Sequence, residues 1–284
     1  MISTKDAEII AELFYLLDAG VRDNLSKGFI ADERDYMSRL VNNFNYPYGI
    51  LNKYTFNHMR FQSKWFAKVN SSHNERKFGC DSMIVFKIGD KLKVGLFEAK
   101  WPRVILNPKY QWDYTQKSTK TSHFTDQINR QSKWTSDAAI WEMFFYEQKL
   151  GLFDIPFDKK ASSCVRHQSA INLINTKPGL NTIWNNLDLK MLIKSEQTKA
   201  FNGTNETNIK KIIYDILTCN FGSIINLVPT DNSFLLTSTD KSEKVKCPIL
   251  SMTENNEDNQ NIENFMNEYG LSFFQQLNIS IPKN

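Results

Sequence analysis

Three charged side chains interrupt an otherwise apolar pair of segments. Asp81, Glu98 and Lys100 lie within GCDSMIVFKIGDKLKVGLFEAK, residues 79–100. Carboxylates are the ligands that Mg²⁺ prefers, usually with water and a substrate phosphate completing its coordination. A lysine ammonium beside such a metal can orient or help deprotonate a water, and it can offset charge on a phosphate. These residue types therefore predict metal-assisted phosphate chemistry, provided that the chain brings the three side chains together.

The two segments around these residues predict a β-hairpin. SMIVFKI and LKVGLFEA are rich in β-branched and aromatic residues and are separated by Gly-Asp. A two-residue turn with Gly in its first position favours type II′, in which Ile88 faces Lys91. Counting outward from that pair places Asp81 opposite Glu98, with their Cβ atoms about 5 Å apart. Lys100 points to the same face, whereas a slip of one residue would send the two acids to opposite faces.

Carboxylates directly opposite each other destabilise a strand pair, and a divalent cation would offset that repulsion. The alternative is a surface hairpin with solvated charges. Apolar residues occupy both faces of the hairpin, however: Met83, Val85, Val94 and Leu96 on the acidic face, and Ile84, Phe86, Ile88 and Phe97 on the other. A strand that is apolar on both faces is typical of the buried sheet of an α/β protein.

Gly-Cys-Asp, a hairpin and then Phe-Glu-Ala-Lys resemble the PD-(D/E)xK nuclease superfamily, in which an Asp and an E-x-K motif bind Mg²⁺ and cleave phosphodiesters. Asp81, Glu98 and Lys100 match these positions, while Cys80 stands where a proline often precedes the Asp. The resemblance covers roughly residues 32–175. It implies an α/β fold with a restriction-endonuclease-like core, in which helices flank a mixed central sheet, and we expect additional C-terminal α+β elements.

The resemblance also implies an activity, a Mg²⁺-dependent DNA endonuclease of the restriction or defence type. Asp81 and Glu98 would hold Mg²⁺ or Mn²⁺, and Lys100 would orient the attacking water. The expected partner is nucleic acid, with double-stranded DNA preferred, and a homodimer is left open. Because the superfamily includes inactive relatives, a non-catalytic nucleic-acid-binding or assembly protein is the rival interpretation. A nuclease that acts on RNA or on ends is a third.

Sites of this superfamily often contain an acid on a preceding helix and a glutamine on a helix after the E-x-K strand. ADERDYMSRLVNNF places Glu33 at the edge of an apolar helical stripe, although an acid at a helix N-terminus is also favoured by the helix dipole. HFTDQINRQSKW sets His123, Gln127 and Gln131 on one helical face. The resemblance suggests that Gln127 helps to fix the substrate or the catalytic lysine. The alternative is a solvated polar face.

The segment between the hairpin and this helix, residues 101–123, lacks periodicity and mixes aromatic with basic side chains. Such a loop can follow a phosphate backbone and stack on bases through Tyr110, Trp112 and Tyr114, or it can be a solvated flap. The residues that we assign to nucleic-acid contact are Arg103, Lys109, Trp112, Lys117, Lys120 and, from the helix that follows, Gln131.

The rest of the chain carries less recognisable chemistry. SDAAIWEMFFYEQ predicts an apolar helix and ASSCVRHQSAINLI a core strand, with His167 satisfied by a backbone carbonyl rather than catalytic. After about residue 176, TNIKKIIYDILTC predicts a helix, SIINLVP, SFLLTS and CPILSM predict strands, and NIENFMNEYGLSFFQQL predicts a last helix. We expect a nuclease core over 1–175 and a C-terminal extension over 176–284 for substrate recognition or oligomerisation, unless both form one domain.

The amino-acid composition excludes few classes of protein. The 284 residues are 41% hydrophobic, enough for a substantial core, and a net charge of +4 predicts a local basic surface rather than a global field. Four cysteines without C-x-x-C spacing and four histidines form no zinc pattern, which favours reduced thiols in the cytoplasm. Residues 1–20 indicate an amphipathic helix rather than a signal peptide, although a secreted bacterial effector would also be compatible, and no segment is apolar enough to span a bilayer.

Overall fold

A computed structural model of the chain describes residues 2–44, 60–68, 77–102, 112–117, 119–146, 157–176, 183–197, 207–228, 232–252 and 256–280. The strands are β1 (Arg60–Ala67), β2 (Ser82–Ile88), β3 (Lys91–Lys100), β4 (Ala139–Phe144), β5 (Ser163–Arg166), β6 (Ile225–Asn226), β7 (Ser233–Thr237), β8 (Lys244–Pro248) and β9 (Phe273–Ser280). The α-helices are α1 (Thr4–Ser26), α2 (Glu33–Asn43), α3 (His123–Gln131), α4 (His167–Ile174), α5 (Asn186–Gln197), α6 (Ile209–Leu217) and α7 (Asn256–Tyr269).

Seven of these strands form one mixed sheet in the order β1-β9-β2-β3-β4-β5, with the short β6 pairing beside β3. Pairing is antiparallel for β1 with β9, β2 with β3, and β4 with β5, and it is parallel for β9 with β2 and for β3 with β4. Strands β7 and β8 form a separate ribbon. The predicted α/β class with a mixed sheet flanked by helices is confirmed.

The β2–β3 hairpin has the predicted register, because Ile88 pairs with Lys91 and Ser82 with Phe97. Gly89 has a φ of +64° and Asp90 is not among the residues with positive φ, as a type II′ turn requires. Both faces of the hairpin are buried, in two different hydrophobic clusters. The alternative of a solvated surface hairpin is therefore wrong.

Helices cover both faces of the sheet. Apolar residues of α1, α2 and α6 pack on the face that carries Phe86 and Phe97. The opposite face, which carries Val85 and Leu96, is covered by α7 and the β7–β8 ribbon. Farther along that face, α3, α4 and α5 pack near the ends of β4 and β5. None of the helices within the described ranges is both long and apolar enough to cross a membrane.

The prediction of an apolar helix in SDAAIWEMFFYEQ is wrong, since AIWEMF forms β4 and pairs in parallel with β3. Its side chains alternate, with Trp141 and Met143 in one cluster and Ile140 and Phe144 in clusters on the opposite face. A segment that is buried on both faces has no polar side to reveal its period. The strand predicted in ASSCVRHQSAINLI ends at Arg166, after which α4 begins.

The C-terminal segment also differs from its prediction as one helix. Helix α7 ends at Tyr269, Gly270 adopts a φ of +70°, and β9 follows. A glycine in this conformation is a common helix stop. Strand β9 lies between β1 and β2, so residues on both sides of the boundary predicted at 175 share one sheet. Strand β8 is Lys244–Pro248 rather than the predicted CPILSM.

Candidate acidic site at the ends of β3 and β4

Acidic side chains from neighbouring strands meet on one face of the sheet. Glu98 and Lys100 lie near the end of β3, and Asp81 immediately precedes β2, one residue beyond the pair of Ser82 with Phe97. Glu98 also pairs with Glu142 of the parallel strand β4. Glu98 is 1% exposed, Glu142 is fully buried, Lys100 is 8% exposed and Asp81 is half-buried. The site is thus largely withdrawn from solvent.

Lys100 is the cation of this site. Its Nζ donates a hydrogen bond to Oε1 of Glu98 at 2.7 Å. Burial lowers the pKa of Lys100, but the charges of Glu98, Glu33 and Asp81 outweigh that effect and raise the pKa above its ordinary value. The side chain therefore remains an ammonium, which suits it to orienting a water and offsetting negative charge rather than to accepting a proton.

Gln127 of α3 contacts the same carboxylate. Its Nε2 donates to Oε1 of Glu98 at 2.7 Å, and the side chain is fully buried. The alternative of a solvated polar face is therefore wrong at this position. Helix α3 can approach β2 closely because Gly79, which has a φ of +69°, lies against it. A Cβ atom on Gly79 would stand 2.4 Å from the carbonyl oxygen of Gln127.

Gln131 lies one helical turn beyond Gln127 and is also fully buried. Its Nε2 donates to the Gly79 carbonyl at 3.0 Å, and its Oε1 is 2.9 Å from Nδ1 of His167. The assignment of Gln131 to nucleic-acid contact is therefore corrected, because its amide is used inside the protein and no solvent reaches it.

His167 begins α4 and contacts side chains instead of the predicted backbone carbonyl. Because Nε2 of Gln131 already donates to Gly79, Oε1 of Gln131 is the acceptor and Nδ1 of His167 is the donor. Nε2 of His167 lies 2.9 Å from Oγ of Ser132. Burial lowers the pKa of His167 to about 4, so the ring is neutral at physiological pH. His167 thus holds Gln131 against Gly79, two residues before Asp81.

Glu33 turns from the start of α2 toward the end of β3. Its Oε1 accepts a hydrogen bond from the backbone N–H of Trp101 at 2.8 Å, directly after Lys100. Its charge contributes to the raised pKa of Lys100. Glu33 is also the first residue of α2, after the N-cap Asp32. Glu33 therefore lies at a helix N-terminus and also beside the site, so its position agrees with both interpretations.

Glu142 belongs to the site but was missed, because its segment was predicted to be a helix. Neither carboxylate oxygen has a hydrogen bond of ordinary length and angle among the described residues, although the Gln131 side chain lies close enough to interact with it. Burial, followed by the charge of Glu98, raises the pKa of Glu142 well above its ordinary value, while the nearby Gln131 and Lys100 lower it in part. The signal that could have found Glu142 is a single acid inside the apolar run AIWEMF.

The C-terminal strand fixes the position of Asp81. The backbone carbonyl of Asp81 accepts hydrogen bonds from the N–H groups of Ser272, at 2.8 Å, and Phe273, at 3.1 Å. The preceding residue, Cys80, is buried, and burial together with the charges of Glu142, Glu98 and Asp81 raises the pKa of its thiol well above the ordinary value. The thiol is therefore held in its neutral form.

The predicted nucleic-acid contacts in residues 101–123 divide into three groups. Trp112 packs edge-on against Phe124 and Phe144 and is 9% exposed, so its assignment to base stacking is corrected: the ring is part of the core. Lys117 and Lys120 are exposed. Arg103, Lys109 and Tyr110 lie outside the described residues.

The carboxylates of the acidic site are the groups that could hold a divalent metal. No three His, Cys, Asp or Glu side chains in the described ranges are grouped so as to hold a metal ion by themselves. Mg²⁺, however, is usually bound through one or two carboxylates and completes its coordination with water and phosphate. Asp81 and Glu98 supply that pair, and the adjacent Glu142, whose pKa is raised by burial and by the charge of Glu98, lies where added positive charge would be favourable. The donor set fits Mg²⁺.

The chain matches no protein-family model, no curated protein and no solved structure. The basis for a functional assignment is therefore the arrangement of its own side chains.

Proposed function

We propose that this protein is a Mg²⁺-dependent phosphodiester hydrolase with a restriction-endonuclease-like core, and that it acts as an endonuclease on DNA. The observation that carries the proposal is the cluster of Asp81, Glu98, Lys100 and Gln127, in which Glu98 accepts hydrogen bonds from both the lysine and the glutamine at 2.7 Å. Continuing the hairpin register by one residue beyond the pair of Ser82 with Phe97 places Asp81 opposite Glu98. DNA is preferred by analogy with the superfamily that the motif resembles.

In the proposed reaction, Asp81 and Glu98 hold the metal, which when bound polarises the scissile phosphate and lowers the pKa of a water. The Lys100 ammonium, hydrogen-bonded to Glu98, positions that water and offsets charge on the phosphate. Gln127 keeps the carboxylate of Glu98 in one orientation through its amide. Glu33 adds negative charge beside Lys100 and so helps to keep it protonated.

The cost of burying these groups supports an enzyme over a protein that uses the sheet only as a scaffold. Burying an acid costs free energy, and Glu142 is fully buried beside Glu98, with its pKa raised well above the ordinary value by burial and by that neighbouring charge. A scaffold gains nothing from such a group, whereas acids with strongly shifted pKa values are common in active sites. Inactivity of the purified protein toward nucleic acids would favour the scaffold instead.

Supercoiled plasmid DNA tests the proposal. We expect nicked and linear products in Mg²⁺ or Mn²⁺ and none in EDTA, and we expect Asp81→Asn to lose at least about two orders of magnitude in cleavage rate, the scale for removing one positioned electrostatic group. Asp90→Asn is the matched control, because Asp90 is the exposed acid in the turn of the same hairpin. Cleavage in EDTA, or an Asp81→Asn variant as fast as wild type, would refute the assignment.

A further inference from the structure

One exposed aromatic side chain is linked to the candidate site through the start of α3. The Tyr114 ring is 57% exposed and stacks on the His123 ring, with centroids 4.6 Å apart and planes 14° from parallel. The backbone reinforces this contact, since the N–H of His123 donates to the Tyr114 carbonyl at 2.8 Å. One face of the Tyr114 ring therefore packs on His123, and the other face is open to solvent.

The segment that joins these two residues is a short, basic hairpin. Thr115 pairs with Ser122, and the N–H of Gln116 donates to the Thr121 carbonyl at 2.8 Å. Lys117 and Lys120, near its tip, are exposed. This hairpin therefore presents two ammonium groups and one aromatic face, the combination by which proteins bind single-stranded nucleic acid.

Helix α3 connects the stacked rings with the acidic site. His123 and Gln127 are four residues apart on this helix, so they share one face, with Cβ atoms about 5–6 Å apart. Gln127 in turn donates to Glu98 at 2.7 Å. The path from Tyr114 through His123 and Gln127 to Glu98 consists of three contacts, and nucleotides in one strand of DNA rise about 3.4 Å each, so a strand with one phosphate at the acidic site can reach Tyr114 within a few nucleotides.

We propose that the open face of Tyr114 stacks on an unpaired nucleobase within a few nucleotides of the scissile phosphate, so that the substrate has a single-stranded nucleotide at this position. The inference rests on the proposed nuclease function and narrows its substrate class. A base inside a duplex has both faces covered by its neighbours, whereas an unpaired base can leave the stack and contact a side chain. Trp112 cannot take this role because its ring is buried.

Fluorescence of an oligonucleotide with one 2-aminopurine tests the proposal in EDTA, where binding is measured without cleavage. We expect wild type to quench the probe when it is unpaired and much less when a complementary strand pairs it. Tyr114→Ala should weaken single-strand binding by about 5- to 100-fold, the scale for losing one base-stacking contact. Tyr114→Phe should bind like wild type.

Two further variants separate stacking from effects on folding. Tyr114→Leu keeps an apolar contact with His123 but has no aromatic face, so it should lose affinity while its melting temperature stays near that of wild type. Phe29→Ala removes another exposed aromatic ring, 62% exposed just after α1, and should bind like wild type. Equal single-strand affinity of wild type and Tyr114→Ala would overturn the proposal, as would equal losses for single-stranded and duplex DNA.

The binding result and the cleavage result are independent. If quenching depends on Tyr114 but the protein cleaves neither plasmid nor single-stranded DNA, base stacking on Tyr114 is supported and the proposed nuclease function is refuted. If cleavage is metal-dependent but Tyr114 has no role in binding, the nuclease function is supported and base stacking on Tyr114 is refuted.

Discussion

Glu98 of β3 and Glu142 of β4 are paired neighbours in a parallel register, on one face of the sheet and almost fully buried. Neighbouring strands lie about 4.8 Å apart, so two ionised carboxylates here would repel strongly. Burial and the charge of Glu98 accordingly raise the pKa of Glu142. The metal-free protein therefore favours a protonated Glu142, and the pair should be sensitive to pH.

Glu142→Gln should stabilise the metal-free protein, increasingly so as pH rises. The unfolded chain releases this proton near its ordinary pKa of 4.5, whereas the folded chain releases it at higher pH. Stability from the protonated carboxyl is thus fully present below 4.5 and is lost as pH rises through the raised pKa. We expect a melting temperature at least about 2 °C above wild type at pH 8 and little difference near pH 4.5 in calorimetry with EDTA.

The exposed Glu8 provides the control for this series, and Glu8→Gln should leave the melting temperature near that of wild type. A Glu142→Gln variant that is less stable than wild type at pH 8 would mean that the ionised carboxylate has a stabilising partner in the folded protein.

Lys100→Ala should affect stability and chemistry in different ways. Removing one member of a buried ion pair typically costs about 3–5 kcal/mol, and Lys100 donates to the buried Glu98. We expect that loss in urea unfolding with EDTA, partial recovery when Mg²⁺ replaces the missing positive charge, and a loss of at least about two orders of magnitude in single-turnover cleavage with Mg²⁺ saturating. The more exposed Lys91 serves as control.

Recovery of stability by Mg²⁺ without recovery of cleavage would identify Lys100 as the group that positions the water. Full cleavage by Lys100→Ala would instead mean that the E-x-K match has no catalytic meaning. The control Lys91→Ala should change the free energy of unfolding and the cleavage rate only slightly.

Gln127→Ala should lower kcat by about 10- to 100-fold, the usual effect of removing a group that orients a metal-binding carboxylate. The physical reason is the 2.7 Å hydrogen bond from its amide to Glu98. The Mg²⁺ concentration at half-maximal rate should rise in the same titration, a readout that a purely structural role would leave unchanged. A large drop in melting temperature with kcat and Mg²⁺ dependence intact would contradict this role.

His167 should make the protein less stable as pH falls. Its pKa drops from 6.5 to about 4 on folding, because burial opposes the charged ring. A lowered pKa contributes stability that is present above 6.5 and is lost as pH falls through 6.5 toward 4. Denaturant titrations over this range should show a smaller loss for His167→Gln, whose amide can still donate to Gln131. An identical slope for wild type and variant would contradict the assignment.

Several features of the site follow from local sequence. The Gly-Asp turn and the alternation of side chains on SMIVFKI and LKVGLFEA were sufficient to predict the register that aligns Asp81 with Glu98. The helical spacing of Gln127 and Gln131 correctly placed both on one face of α3. Turn geometry and side-chain periodicity depend on residues close in the chain, and a short stretch of sequence therefore contains this information.

Tertiary packing decided the rest. AIWEMF is apolar toward both sides, and only its pairing with β3 makes it a strand and brings Glu142 beside Glu98. The position of β9 between β1 and β2, and the hydrogen bonds at its start to Asp81, join residues about 190 to 220 positions apart. Such pairings are set by which surfaces bury each other rather than by local preference, and a segment that is buried on both faces carries no periodic signal that would reveal them.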